Sequence, residues 1–190
     1  TRILFESLMV LVTAPAGHTN MAYDDAGNVT LTTLRQRYDN ATNNGPLNNS
    51  TTQPKARVSY IGTWPDALGR TIATANAGTN GNATWSKPTL IPACSDTLLI
   101  TLTAYNPAGE AWLTTDPMGA QTTRTWDAAG RLIDEVQGRV PGRTMPAINR
   151  RTSYGYNPDG NLTHLIAWNN TGSSVTEQVT EWVYGVNTSS

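Results

Sequence analysis

Short runs of β-forming residues, apolar and polar in alternation, recur along the chain between clusters of Asp, Asn, Pro and Gly. The alternation is clearest in Val29-Thr30-Leu31-Thr32 and Ile100-Thr101-Leu102-Thr103, within the runs 28–32 and 98–103. A further strand is predicted from Ser174-Val175-Thr176 through Trp182-Val183-Tyr184. No window of a dozen residues carries a capped apolar stripe of helical period, so helix is expected to be minor. Asn40–Pro54, rich in Asn, Thr and Ser, reads as an exposed loop inserted between units; Ala75–Asn82 and Gly138–Pro146 read as shorter excursions. The expected architecture is a single all-β unit over residues 1–190, an antiparallel serial β-hairpin strip.

The punctuation between the runs is regular. Six segments in which an Asp or Asn is followed three residues later by Gly are read as its turns: Asp24 with Gly27, Asp66 with Gly69, Asn106 with Gly109, Asp116 with Gly119, Asp127 with Gly130 and Asn157 with Gly160. An aromatic stands immediately before four of them, Tyr23, Tyr105, Trp126 and Tyr156. Each segment reads as a type I turn: the Asx side chain accepts a backbone N–H two residues on, and Gly takes a left-handed conformation at the last position. Gly109 to Gly119 is 10 residues and Gly119 to Gly130 is 11, leaving about six or seven for each strand. The 42, 40 and 30 residues from Gly27 to Gly69, Gly69 to Gly109 and Gly130 to Gly160 imply degenerate turns or insertions. Thr13–Thr19, with Gly17, lies 10 residues before Gly27 and is paired with it as an earlier element. Such a period marks a serial β array. Gly130→Val should then harm folding, whereas Gly45→Val in the insert should be nearly silent.

Composition narrows the partners. A net charge of −1 supplies no basic excess for a nucleic-acid backbone. Six Trp and seven Tyr stand against one Phe, and rings with a polar edge suit sheet faces that are half wet. Cys94, the only cysteine, rules out an internal disulfide and reads as a small half-buried thiol. No run approaches the ~20 apolar residues of a spanning helix. Leu8–Val12 followed by Ala14-Pro15-Ala16 has the look of a signal peptide, but Glu6 interrupts it and a strand entering a turn fits as well. With no initiator Met and repeat units reaching both ends, the chain reads as a segment of a longer protein.

The chemistry-bearing residues do not cluster. His18 and His164 read as strand histidines; a zinc site needs three or four ligands. The turn aspartates recur one per turn without the dense oxygens of a calcium loop. No catalytic, metal or cofactor-binding residue is therefore assigned. Trp85, Trp112, Trp168 and Trp182 fit packing along the strip, with sugar stacking as the alternative. Glycosylation sequons at Asn28, Asn40, Asn48, Asn49, Asn82, Asn161, Asn169 and Asn187 follow from the Asn and Thr content.

The element Tyr-Asp-x-x-Gly-Asn/Arg-hydrophobic, preceded by Asp-Pro-x-Gly-x-x-Thr, resembles the YD repeat of the Rhs family. Tyr23–Val29, Trp126–Ile133 and Tyr156–Leu162 match the core element, and Asp116–Thr122 the preceding one. Asp66–Arg70 departs from it by carrying Pro65 in the aromatic place, and Tyr105–Gly109 by the Glu110 that follows. The resemblance implies a spiralling strip that closes into a hollow shell. It also implies a non-enzymatic structural role, enclosing a C-terminal toxin or effector domain or displayed at the cell surface, with secretion or surface localisation. The implied partners are the remaining repeats of the same polypeptide and an enclosed C-terminal domain. The alternative is an adhesin module that binds cell-surface carbohydrate; an enzyme or toxin would require a clustered titratable site. Asp116-Pro117-Met118-Gly119, a single copy leading straight into another repeat, reads as an ordinary unit and not as the paired element at which such shells self-cleave.

Overall fold

The protein is described from a computed structural model covering residues 16–140, 150–170 and 175–185. It is all-β. The strands are β1 (Gly17–Tyr23), β2 (Val29–Arg37), β3 (Ala56–Pro65), β4 (Thr71–Gly78), β5 (Leu99–Tyr105), β6 (Ala111–Thr115), β7 (Gln121–Trp126), β8 (Leu132–Arg139), β9 (Arg150–Tyr156), β10 (Leu162–Asn170) and β11 (Val175–Glu181). They lie in one antiparallel sheet whose spatial order is the sequence order. Among the described residues the only helical element is a 3-10 turn at Asn80–Asn82. By its contacts the chain divides into two compact units, Thr1–Gly69 with Thr74–Leu99, and Arg70–Ala73 with Ile100–Ser190.

In the first unit the register sets His18 beside Arg35 and Arg35 beside Val58, and likewise Asn20, Thr33 and Tyr60 in one row. Alternation along β3 puts Ala56, Tyr60, Gly62 and Trp64 on this face, all buried, and Ala75 and Ala77 of β4 are buried too. Two connections cover it. Leu47 and Pro54 of the segment 38–55 are buried, and Arg37 Nη2 ties that segment down by donating to the carbonyls of Ala41 (3.0 Å) and Asn43 (2.7 Å). From the segment 79–98, Trp85 packs over Gly62 so closely that a Cβ there would stand 2.6 Å from the ring. Trp64 donates its indole N–H to the carbonyls of Pro88 and Thr89, at 3.2 Å each, and the Lys87 ammonium lies 4.4 Å from its ring centroid. Burial lowers the Lys87 pKa, and the negative charge of Asp24 opposes that shift. Removing a ring seated like Trp64 costs a core about 3–5 kcal/mol.

Several expectations are corrected here. Residues 75–78 belong to β4 and not to an excursion: an Ala-Thr-Ala-Asn-Ala alternation of small residues forms a buried strand against which the connection can close. The Asn/Thr-rich insert is not wholly solvated, because Leu47 anchors it. Gly45 has φ +127°, so a Val there meets the same kind of backbone strain as at Gly130 (φ +75°), and the expected contrast between the two fails. Likewise residues 138 and 139 still belong to β8; 141–149, like Leu8–Val12 and Thr13–Pro15, lie outside the described residues. Gly17 opens β1 without a positive φ.

The second unit is thin. Ile100 is buried, and most described strand residues from β6 to β10 are half-exposed. Polar chains therefore carry much of the cross-strand contact. On one face Asp134 Oδ1 accepts from Arg151 Nε (2.7 Å) and Ser153 Oγ (2.8 Å), while Ser153 Oγ accepts the Trp168 indole N–H at 2.9 Å. On the other, Arg124 Nε donates to Glu135 Oε2 at 2.7 Å, and Gln137 Nε2 donates to Glu135 Oε1. Burial is the main cause that raises the Tyr154 pKa, with the Glu135 charge adding to it.

Candidate functional site

The six Asx-x-x-Gly segments share one hydrogen-bond scheme. In each, Gly N–H donates to the carbonyl of the Asx residue, at 2.9–3.1 Å, and the Gly has positive φ: +85° at Gly27, +78° at Gly69, +96° at Gly109, +81° at Gly119, +75° at Gly130 and +88° at Gly160. A type I turn followed by a left-handed Gly closes a hairpin with the twist that strands need. The Asx side chain adds what the backbone lacks. Asp24 Oδ1 accepts the N–H of Ala26 (3.0 Å) and of Asn28 (2.8 Å); Asp116 and Asp127 repeat both bonds. Asp66 makes the shorter-range one to Leu68, and Asn106 and Asn157 the longer-range one to Glu110 and Asn161. The residue after Gly also reaches back: Asn28 Nδ2 donates to Asp24 Oδ2 at 2.9 Å, and Arg131 Nε to Asp127 Oδ2 at 2.7 Å. These bonds hold both carboxyls below the ordinary carboxylate pKa, led by the Asn28 side chain at Asp24 and by the Arg131 backbone N–H at Asp127.

Within each unit successive turns interlock. The residue that follows one Gly leans over the Gly of the next turn at the same end of the strands, which passes over the Asp116–Gly119 turn at the other end: a Cβ would stand 2.8 Å from Asn28 Oδ1 at Gly69, 3.8 Å from Arg70 Nη1 at Gly109, 3.5 Å from Glu110 Oε1 at Gly130 and 3.9 Å from Arg131 Nη1 at Gly160. The aromatic before the next turn completes the joint. Arg70 and Arg131 lie 4.5 and 4.7 Å over the rings of Tyr105 and Tyr156. Tyr105 donates its hydroxyl to the Thr71 carbonyl at 3.0 Å, and Tyr156 to the Leu132 carbonyl at 2.9 Å, in both cases two residues past the previous Gly. A third copy was missed by sequence reasoning. Tyr184 donates to the Leu162 carbonyl at 2.9 Å, two residues past Gly160, and Gly185 follows it with φ +68°. Its only sequence signal is the aromatic, since no Asx stands between Tyr184 and Gly185. Trp126 has no oxygen to offer at the equivalent place, and its buried indole N–H has no partner among the described residues. Tyr23 is 58% exposed, and its hydroxyl meets only Met21 Sδ, at 3.6 Å, among the described residues.

The remaining candidates scatter. Cys94 is exposed, correcting the half-buried expectation. His164 lies 3.4 Å from Glu181 Oε1 and 2.9 Å from Thr163 Oγ1. Among the described residues no three His, Cys, Asp or Glu side chains are placed to hold a metal, and no helix is long and apolar enough to cross a membrane. His18 instead lines a cavity of about 580 Å³ between the covered face of β1–β3 and the segment 38–55.

No family model matches the chain, and no curated protein does. Solved structures do: one is the crystal structure of TcdB2-TccC3-Cdc42, with a TM-score of 0.39 and 17% identity over 80% of this chain. The match spans 8% of that chain.

Proposed function

We propose that this chain is a non-enzymatic structural segment of an Rhs/YD-repeat shell, exported or displayed at a bacterial surface, whose wall encloses a C-terminal effector domain. The observation that carries the reading is the repeated joint at Tyr105, Tyr156 and Tyr184, in which each aromatic donates to the main chain two residues past the preceding turn Gly. A joint made the same way each time lets one strand pair be added to the next without a new fold, which is what a wall requires. Turns locked by their own Asx side chains add stiffness without a deep core. Limited proteolysis of the complete polypeptide tests the role. An enclosed domain should resist protease until the shell is unfolded; digestion at the rate of that domain alone would dismiss the container.

A second reading, a carbohydrate-binding surface module, is favoured by Trp112 and Trp182, which are 42% and 38% exposed. Glycan-dependent quenching of Trp fluorescence would support it.

A further inference from the structure

The cavity in the first unit has the chemistry of a small-ligand site. Its floor is apolar: Leu47 and Tyr60 are buried, at 6% and 8% exposure, and Val58 lies beside them. Its walls are polar, and among the described residues no Asp or Glu lines it and Arg35 is its one permanent charge. One guanidinium nitrogen, Nη1, donates to Asn20 Oδ1, which tethers the fork at the cavity. The other donors of Arg35 have no hydrogen-bond partner among the described residues, nor has the Tyr60 hydroxyl. A tethered guanidinium with spare parallel donors suits a carboxylate, which accepts two of them. Asn48 and Thr84 add amide and hydroxyl groups at the wall, the donors and acceptors that vicinal sugar hydroxyls use. The volume, about 580 Å³, lies within the range of about 300–1,000 Å³ typical of small-molecule sites.

We propose that this cavity binds an acidic sugar, a carboxylated monosaccharide unit whose carboxylate pairs with Arg35 and whose ring lies on Leu47 and Tyr60. The proposal deepens the carbohydrate-binding reading and is independent of the shell. Nothing about it requires an alignment of exposed Trp. It also accounts for the segment 38–55, which forms the wall opposite the strands and is held there by Arg37 and Leu47.

The test is titration of the full chain with N-acetylneuraminic acid and glucuronic acid, with galactose as the uncharged control, followed by isothermal calorimetry and amide chemical shifts. Saturable binding of an acidic sugar, with shifts at Arg35 and Tyr60, is expected. Arg35→Gln should weaken it about tenfold or more, the loss of a charge-assisted pair. Tyr60→Phe keeps the ring and deletes one hydroxyl, and should weaken it about threefold; it serves as the second variant if Arg35→Gln fails to fold. Acidic-sugar binding unaffected by both variants, or equal binding of galactose, would overturn the cavity assignment while leaving a glycan-binding surface elsewhere. No binding of any of the three sugars would overturn the assignment and count against the carbohydrate reading together.

Discussion

Gly69→Ala tests whether the turns interlock, and Gly27→Ala in the same unit is its control. Both glycines have nearly equal positive φ, +78° and +85°. Ala in that conformation costs about 1–2 kcal/mol, offset by about 0.4–1 kcal/mol because Ala also restricts the unfolded chain. Gly27→Ala, with nothing within 4 Å of the new Cβ, should therefore destabilise by no more than about 1.6 kcal/mol. At Gly69 the Cβ would lie 2.8 Å from Asn28 Oδ1, so the Asn28 amide must shift. That amide also holds Asp24 Oδ2 at 2.9 Å, and loosening such a bond adds about 0.5–1.5 kcal/mol. The assay is equilibrium urea unfolding of the four members of the cycle formed by Gly69→Ala and Asn28→Ala. A coupling of about 0.5 kcal/mol or more is expected, with the double variant milder than the sum of the singles. Equal costs at Gly27 and Gly69 with no coupling to Asn28 would refute the interlock.

Three further outcomes are expected. Tyr156→Phe deletes the donor to the Leu132 carbonyl and should cost about 0.5–1.5 kcal/mol by urea unfolding; no change would remove the joint from the account. Gly62→Ala drives a methyl against the Trp85 ring and should destabilise by about 1–3 kcal/mol, with Trp85→Leu in the same chain restoring most of it. Asp24 and Asp127 bind protons less readily in the folded chain than in the unfolded one, so their contribution is complete above the ordinary carboxylate pKa of about 3.9 and is lost as pH falls below it. Thermal unfolding from pH 7 to 3 should show that loss, reduced by Asp127→Asn, which keeps the Oδ1 acceptor as Asn106 and Asn157 do.

The sequence showed the strands and turns plainly because their causes are local. An Asx that bonds two and four residues ahead, and a Gly that alone takes positive φ cheaply, act within five residues. The long Gly-to-Gly spacings were read as degenerate turns or insertions, and the described structure fills the first two with insertions. From Gly27 to Gly69 the extra length is the segment 38–55, and from Gly69 to Gly109 it is 79–98. What the sequence did not show is what these connections cover. Ala75 and Ala77 look like turn residues until the sheet buries them, and the cavity needs Arg35 of β2 and Leu47 of the covering segment brought to the same space. Tyr184 was hidden for a similar reason: its joint is made to a carbonyl on β10, which no local motif records.

The most direct test of the wall account is a cryo-electron microscopy structure of the complete polypeptide, read at Tyr23. The account predicts the Tyr23 hydroxyl within hydrogen-bond distance of a main-chain carbonyl two residues past a turn Gly on the strand before β1, matching the 3.0 and 2.9 Å bonds of Tyr105 and Tyr156. A β1 edge left facing solvent, with Tyr23 making no such bond, would contradict it.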